Sequence, residues 1–275
     1  METIKLWNAP ESAGTGRAED DFEPYLELYL QESPETARGA VLVCPGGGYC
    51  NRAPHEAGPI AEQFRAQGFH AFVLQYRVAP YRYPAEQRDL FRAIRLIRSR
   101  AAQWNLNPSQ LAVLGFSAGG HLAASGGTLF DEVDASAGDA ADREPSRPDA
   151  LILCYPVINV TEEFGHRGSG KNLLGEKFGT PEALRFNLET RVTAETPPAF
   201  LWHTADDNGV NVANSLLFAE ALWKNGVTAE LHVFPHGRHG LGLAPEAPDV
   251  AVWPELAGRF LRVSCGFACG FACGC

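Results

Sequence analysis

Short apolar runs alternate with longer amphipathic stretches along most of the chain from residue 40 onward. Short runs rich in β-branched residues and leucine are typical of strands buried on both faces, and apolar residues spaced every three to four positions are typical of helices. Six buried strands are predicted, at Ala40–Cys44, His70–Gln75, Leu111–Leu114, Leu151–Tyr155, Ala199–His203 and Glu230–Phe234. This order of elements predicts an α/β protein with a mostly parallel central sheet and helices on both faces.

The same pattern locates helices and an edge strand. Pro84–Trp104 has the clearest helical period, and Arg88, Arg92 and Arg95 lie about half a turn from its apolar stripe, which predicts a solvated basic face. Tyr25–Leu30 alternates apolar and polar positions and is predicted to be an antiparallel edge strand. Further helices are predicted over residues 121–130, 211–225 and 248–263, the last with a sharp start at Pro248.

Length and composition indicate one domain. A chain of 275 residues with 45% hydrophobic positions can bury a core, and we predict a single unit over residues 1–263. Residues 157–198 interrupt the alternation and are interpreted as an active-site insertion. Residues 264–275 repeat a Gly-Phe-Ala-Cys phrase and hold four of the seven cysteines, so we expect a disordered or vector-derived appendage there.

Charge and hydropathy exclude several kinds of partner. Lys and Arg total 23 against 33 Asp and Glu, a formal charge of -10, which would repel a nucleic-acid backbone. No apolar run approaches the ~18 to 20 residues needed to cross a bilayer, and Met1–Pro10 has no signal-like apolar region. We therefore expect no nucleic-acid or membrane partner and a cytoplasmic location; the oligomeric state stays open.

A candidate nucleophile lies in Gly115-Phe116-Ser117-Ala118-Gly119, between a predicted strand and a predicted helix. This context gives the Gly-x-Ser-x-Gly pattern its chemical meaning, because a tight strand-to-helix turn exposes the serine hydroxyl. The backbone N–H of Ala118, at the start of the helix, is directed to where an oxyanion would form. Ser117 is therefore the predicted nucleophile.

A serine nucleophile requires a histidine base and an orienting carboxylate, which in this kind of fold follow in the order Ser, Asp, His. Two later loops each supply two candidates, Asp206 or Asp207 and His236 or His239. We favour Asp207, because a valine follows it three residues later, and His239, because it lies further into its loop and glycine follows it.

A metal site is the competing interpretation of the histidines at 232, 236 and 239. We disfavour it because His232 lies within a predicted strand and the set has no matching carboxylate. The sequence therefore predicts neither a metal nor another cofactor.

The second half of an oxyanion hole is predicted after the strand Ala40–Cys44. The chain continues there as Pro45-Gly46-Gly47-Gly48-Tyr49, and three consecutive glycines allow bare N–H groups to turn inward. Gly47 and Gly48 are the predicted donors beside Ala118.

Five segments together resemble a known family. They are Cys44–Tyr49, His55–Gly58, Tyr76–Pro80, Gly115–Ala124 and Trp202–Asp207. The combination is similar to small α/β-hydrolases known as acetylesterases or acetylxylan esterases, which are related to the hormone-sensitive-lipase group. The resemblance implies an α/β-hydrolase fold, a triad of Ser117, Asp207 and His239, and oxyanion donors at Gly47, Gly48 and Ala118. Pro45 replaces the first histidine of the lipase group's His-Gly-Gly-Gly.

These observations predict a serine esterase that removes short acyl groups, acetyl above all, from a sugar or another small alcohol. Tyr49, Tyr81 and Tyr155 are candidates for contact with sugar rings, with ordinary packing as the alternative for each. A broad carboxylesterase, a feruloyl esterase and a formamidase remain as enzymatic alternatives, and a hydrolase-fold binding protein is the non-enzymatic one.

Overall fold

The computed structural model describes residues 2–7, 22–32 and 35–270. In these ranges one eight-stranded sheet is formed by β1 (Glu2–Lys5), β2 (Tyr25–Tyr29), β3 (Arg38–Cys44), β4 (His70–Gln75), β5 (Leu106–Phe116), β6 (Ala150–Cys154), β7 (Ala199–Thr204) and β8 (Ala229–Phe234). Their spatial order is β1-β2-β4-β3-β5-β6-β7-β8. The β1–β2 and β2–β4 pairs are antiparallel and the rest are parallel. The predicted α/β class and mostly parallel sheet are confirmed.

Helices cover both faces of this sheet. The α-helices of the described ranges are α1 (Gly58–Ala66), α2 (Ala85–Ser99), α3 (Ala101–Trp104), α4 (Ser117–Thr128), α5 (Arg167–Leu174), α6 (Ala213–Lys224) and α7 (Trp253–Val263). Helices α1 and α7 bury their apolar side chains on one face, and α2, α4 and α6 on the other. None of the helices described is long and apolar enough to cross a membrane.

The side-chain alternation of a strand divides the apolar interior into two cores. In β3, Leu42 and Cys44 belong to the core beneath α2 and α4, whereas Val41 and Val43 belong to the core beneath α1 and α7. All four are fully buried. Burial on both faces explains why the parallel strands read as nearly continuous apolar runs in the sequence.

The amino-terminal edge differs from the prediction for Tyr25–Leu30. This strand is not at the edge of the sheet, because β1 lies outside it and pairs with it, with Ile4 opposite Leu26. β1 has only four residues and is largely exposed, so it carries little hydrophobic pattern.

The predicted sharp start of the last helix at Pro248 is also wrong, since α7 begins at Trp253.

The basic face predicted for α2 is wrong for Arg92. Its side chain is 1% exposed, its Nε donates to the Leu6 carbonyl at 2.8 Å, and its guanidinium pairs with Asp139 and Asp142. Helical periodicity reports which side chains share a face but not what covers that face. Here the loop between α4 and β6 supplies the carboxylates.

The carboxyl terminus packs on the sheet as far as the structure describes it. Contrary to the expected appendage, Phe267 and Cys269 are each 5% exposed and belong to the core beneath α7. The Gly39 N–H donates to the Ala268 carbonyl at 2.7 Å. Residues 271–275 lie outside the described ranges.

A buried carboxylate joins α2 to the loop after β4. Asp89 Oδ1 accepts hydrogen bonds from Trp7 Nε1 at 2.9 Å and from the Arg77 guanidinium at 2.7 Å. Its Oδ2 accepts from the backbone N–H and the Nε of Arg77, both at 2.9 Å. The Asp89 and Arg77 side chains are 0% and 2% exposed. Four donors therefore compensate the loss of water around one carboxylate.

Replacing Asp89 with alanine is expected to lower the free energy of unfolding by about 3–5 kcal/mol, because it leaves the Arg77 charge buried without its partner. Urea denaturation monitored by circular dichroism measures the change. Glu220→Ala, which removes an exposed ion pair with Lys224, is the control and should cost less than about 0.5 kcal/mol. Equal midpoints for the two variants would refute the structural role of Asp89.

Candidate active site

Ser117 lies at the sharp turn from β5 into α4 and is the first residue of that helix. Its φ is 51°, in the left-handed region that is unfavourable for a residue with a Cβ atom. The turn is tight, since a Cβ on Gly115 would lie 2.1 Å from the Gly119 carbonyl oxygen, and one on Gly119 would lie 2.2 Å from that of Cys44. Both flanking glycines are therefore required by the backbone itself.

The structure brings together the three residues predicted as nucleophile, base and acid. Ser117 Oγ donates to His239 Nε2 at 2.8 Å, and His239 Nδ1 donates to Asp207 Oδ2 at 2.8 Å. The Asp207 and His239 side chains are 1% and 25% exposed. This continuous chain of hydrogen bonds has the geometry that activates a serine hydroxyl.

Four groups orient the Asp207 carboxylate. Oδ1 accepts from the backbone N–H groups of Gly209 and Val210 at 2.8 and 2.9 Å, and Oδ2 lies 3.4 Å from His203 Nε2 besides its bond to His239. Burial acts to raise the pKa of Asp207, but the hydrogen bonds from His203, His239 and Val210 outweigh it and hold this pKa well below its ordinary value. The acid is therefore ionised and fixed beside the imidazole.

The neighbouring acid and histidine form a separate pair at the surface. Asp206 Oδ2 accepts from His236 Nδ1 at 2.9 Å, and their side chains are 53% and 85% exposed. Exposed pairs of this kind contribute little to stability. Of the two candidates in each loop, the structure thus brings Asp207 and His239 to Ser117 and leaves Asp206 and His236 in solvent.

The histidines of the metal interpretation are held apart by different partners. His232 Nε2 contacts Glu230, His236 contacts Asp206, and His239 contacts Ser117 and Asp207. No group of three or more His, Cys, Asp and Glu side chains arranged to hold a metal occurs in the described part of the chain.

The glycine loop after β3 is held through its carbonyls. The Gly47 carbonyl accepts from the N–H groups of Cys50 and Asn51, the Gly48 carbonyl accepts from Asn172 Nδ2 at 2.8 Å, and the Tyr49 carbonyl accepts from the Ala79 N–H at 2.8 Å. The φ angles are 130° at Gly47 and 64° at Gly48, a conformation that favours glycine, and the amides of both residues lie in this loop. These amides, with that of Ala118 in the first turn of α4, are the donors predicted from the sequence.

The buried side chain of Tyr49 anchors this glycine loop to α4. It is fully buried with a φ of 59°, and its hydroxyl donates to His121 Nδ1 at 2.9 Å, while His121 Nε2 donates to the Phe186 carbonyl at 2.9 Å. Burial lowers the pKa of His121 to about 4, although the Phe186 carbonyl opposes the shift. A neutral His121 can accept from Tyr49 and donate to Phe186 at once, so α4 supports the glycine loop.

Glu56 connects the glycine loop to the histidine loop. Its Oε2 accepts from the Gly46 N–H at 2.9 Å and its Oε1 accepts from the Tyr155 hydroxyl at 2.6 Å. The same hydroxyl accepts from the Gly242 N–H at 2.9 Å, and the Tyr155 ring lies edge-on to the His239 ring, with 5.0 Å between centroids. One buried carboxylate therefore positions both halves of the site.

The segment predicted as an insertion contacts the site at two points. The Val157 N–H donates to the Ser117 carbonyl at 2.9 Å, and Asn172, in α5, is the residue that holds the Gly48 carbonyl. Segment 157–198 therefore lies against both the nucleophile and the glycine loop.

The chain is similar to known esterases and xylan-degrading proteins. The BD-FAE family matches residues 26–222. The chain belongs to the BD-FAE family. A Butyrivibrio fibrisolvens protein named endo-1,4-beta-xylanase B is 40% identical over 229 residues, covering 81% of this chain and 35% of that protein. An acetylxylan esterase of Xylanibacter ruminicola is 31% identical over 229 residues, covering 81% and 45%. This BD-FAE chain thus spans less than half the length of either relative.

Solved structures show the same fold. An acetyl ester-xyloside bifunctional hydrolase from Caldicellulosiruptor lactoaceticus matches with a TM-score of 0.90 at 45% identity, covering 97% of each chain. The carboxylesterase Cest-2923 from Lactobacillus plantarum matches with a TM-score of 0.76 at 28% identity, covering 90% of this chain and 94% of that one. The resemblance to acetylesterases and acetylxylan esterases and the α/β-hydrolase fold are confirmed.

The sequence missed the residues that support the site. Glu56 and His203 lie in two of the segments that resemble the family, but the sequence assigned neither a role, and only the tertiary structure shows that they are buried at the site. Gly209 was missed as well: a Cβ there would lie 2.7 Å from the His239 ring, a contact that only the tertiary structure shows. Of the candidates for contact with sugar rings, Tyr49 and Tyr155 are 0% and 1% exposed and serve as internal supports, which is the alternative of ordinary packing.

Replacing Glu56 with glutamine is expected to lower the free energy of unfolding by about 1–3 kcal/mol. Both carboxylate oxygens of Glu56 accept hydrogen bonds, one from the Gly46 N–H and one from the Tyr155 hydroxyl. In glutamine one of these oxygens is replaced by an NH2 group, which cannot accept, so one of the two hydrogen bonds is lost. Thermal or urea unfolding measures the change. Glu62→Gln, which alters an exposed ion pair with Arg65, is the matched control and should be within about 0.5 kcal/mol of wild type.

Proposed function

We propose that this chain is a serine carboxylic ester hydrolase that removes short acyl groups, principally acetyl, from carbohydrates or other small alcohols. The observation that carries the proposal is the unbroken hydrogen-bonded chain from Ser117 through His239 to Asp207. The amides of Gly47, Gly48 and Ala118 are the proposed oxyanion donors. Nucleophile, base, orienting acid and oxyanion donors are the four parts that acyl transfer requires.

The proposed reaction proceeds through a covalent acyl-enzyme. Ser117 Oγ attacks the ester carbonyl carbon as His239 Nε2 takes the hydroxyl proton, and Asp207 stabilises the imidazolium. The oxyanion accepts hydrogen bonds from the amides of the glycine loop and of Ala118. His239 then gives the proton to the departing alcohol oxygen. A water molecule, deprotonated by His239, attacks the acyl carbon, and His239 returns the proton to Ser117 Oγ as the acid leaves.

Two observations support an acetylated carbohydrate as substrate. The relatives named acetylxylan esterase and acetyl ester-xyloside bifunctional hydrolase share 31% and 45% identity with this chain. The segment against the site is polar, with Glu162, Glu163 and Arg167 among its exposed or half-exposed residues. A polar wall suits the hydroxyl-bearing alcohol of a sugar ester better than a lipid chain.

The test is a panel of p-nitrophenyl esters of increasing chain length together with acetylated xylose and xylo-oligosaccharides. We expect kcat/KM to fall from acetate to octanoate, because a site sized for acetyl is overpacked by longer chains, and we expect acetate release from the sugars. Ser117→Ala should lose activity by several orders of magnitude while keeping its circular dichroism spectrum. A preference for octanoate or feruloyl esters without acetate release would refute the acetyl specificity alone.

The two adjacent aspartates provide a matched pair of variants. Asp207→Asn is expected to lower kcat by about 10³–10⁴, because an amide in place of the carboxylate favours the wrong histidine tautomer and leaves the imidazolium unstabilised. Asp206→Asn, in the exposed pair with His236, should cost less than about tenfold. Steady-state kinetics on p-nitrophenyl acetate compares them, and the reverse ranking would assign the acid to Asp206.

A further inference from the structure

The helix α5 carries an imidazole to the edge of the candidate active site. His166 directly precedes α5, and its backbone N–H donates to the Asn159 carbonyl at 2.9 Å. Two residues before Asn159, the N–H of Val157 donates to the carbonyl of Ser117. His166 is therefore tied through a short segment to the backbone of the nucleophile.

The other end of the same helix is fixed to the opposite side of the site. Asn172 donates to the Gly48 carbonyl at 2.8 Å, so α5 spans from the nucleophile side to the glycine loop. The segment that carries His166 and α5 is therefore hydrogen-bonded both to Ser117 and to the glycine loop. An ester bound at Ser117 would direct its alcohol part toward one of the segments around this residue.

The hydrogen bonds of His166 determine its tautomer. The Ser169 N–H donates to His166 Nδ1 at 3.2 Å, and the Ser169 hydroxyl lies 2.8 Å from the same nitrogen. A backbone amide can only donate, so Nδ1 carries the lone pair and the proton of the neutral ring is on Nε2. The described residues offer no hydrogen-bond acceptor to this Nε2–H.

The surroundings of His166 favour the neutral ring. Burial lowers the pKa of His166 and the charge of His239 lowers it further, whereas Asp207 opposes the shift. These interactions place the ring within electrostatic range of both residues. The positive end of the α5 dipole acts in the same direction as burial. A neutral ring supplies a donor without opposing the imidazolium that forms on His239.

We propose that His166 is a specificity-determining residue whose Nε2–H donates to a free hydroxyl oxygen adjacent to the ester in the alcohol part of the substrate. This inference rests on the proposed esterase function and narrows its substrate class to monoesters of vicinal diols, as in a partly acetylated sugar ring. An alcohol without the neighbouring hydroxyl leaves the donor unpaired, and a site built around a hydrogen bond discriminates against such an analogue.

The experiment compares two acetates that differ by one hydroxyl, trans-2-hydroxycyclohexyl acetate and cyclohexyl acetate, with p-nitrophenyl acetate as a reporter of the triad. Wild type should prefer the hydroxylated ester in kcat/KM. In His166→Asn, the side-chain oxygen can still cap the Ser169 N–H, but no donor reaches the position of Nε2. The ratio of kcat/KM for the hydroxylated ester to that for cyclohexyl acetate should fall about tenfold, which corresponds to the loss of one hydrogen bond. We expect most of this change in the KM of the hydroxylated ester.

Ser169→Ala is the matched control, because it removes the hydroxyl contact to Nδ1 and keeps the imidazole. Its preference for the hydroxylated ester should equal that of wild type. An unchanged preference in His166→Asn, or an equal loss on all three esters, would overturn the assignment and indicate a purely structural role. A wild-type protein that hydrolyses none of the three would instead refute the proposed function, and this inference with it.

Discussion

The close approach of the turn between β5 and α4 to the end of β3 is the constraint on which the rest of the site depends. A Cβ on Gly119 would lie within 2.4 Å of the carbonyl oxygens of both Cys44 and Pro45, so this contact is possible only for glycine. It places the strained Ser117 beside the glycine loop. The positions of the proposed nucleophile and of the proposed oxyanion donors are thus set by backbone packing of adjacent parallel strands, before any side chain is considered.

Buried polar groups then fix what the backbone has brought together. Glu56 joins the glycine loop to Tyr155, and Tyr155 supports the loop that carries His239. His121 supports Tyr49 from α4. Each of these side chains has its hydrogen-bonding capacity matched by a specific partner, which makes such networks rigid and costly to disturb. The strained φ angles at Ser117 and Tyr49 persist because the surroundings determine them from several sides.

The adjacent residues Asp206 and Asp207 carry the same carboxylate group in two different environments. Asp207 is buried, yet its hydrogen bonds outweigh desolvation and keep it ionised beside His239. Asp206, one residue away, is exposed and pairs with His236 in solvent. Hydrogen bonds to a charged group contribute about 1.5–3 kcal/mol each when buried, whereas exposed pairs contribute about 0–1 kcal/mol. The same chemical group is therefore a fixed element of the site at one position and a surface residue at the next.

The sequence by itself determined the fold class, because strands buried on both faces produce apolar runs and amphipathic helices produce a period of 3.6. It also located the three glycines after β3, the turn around Ser117 and the loops of Asp207 and His239, because tight turns restrict residue type locally. Only the tertiary structure decided that Arg92 is buried, that Glu56 bridges two loops and that α5 contacts the glycine loop. These facts depend on contacts between residues far apart in the chain, and local periodicity carries no information about such contacts.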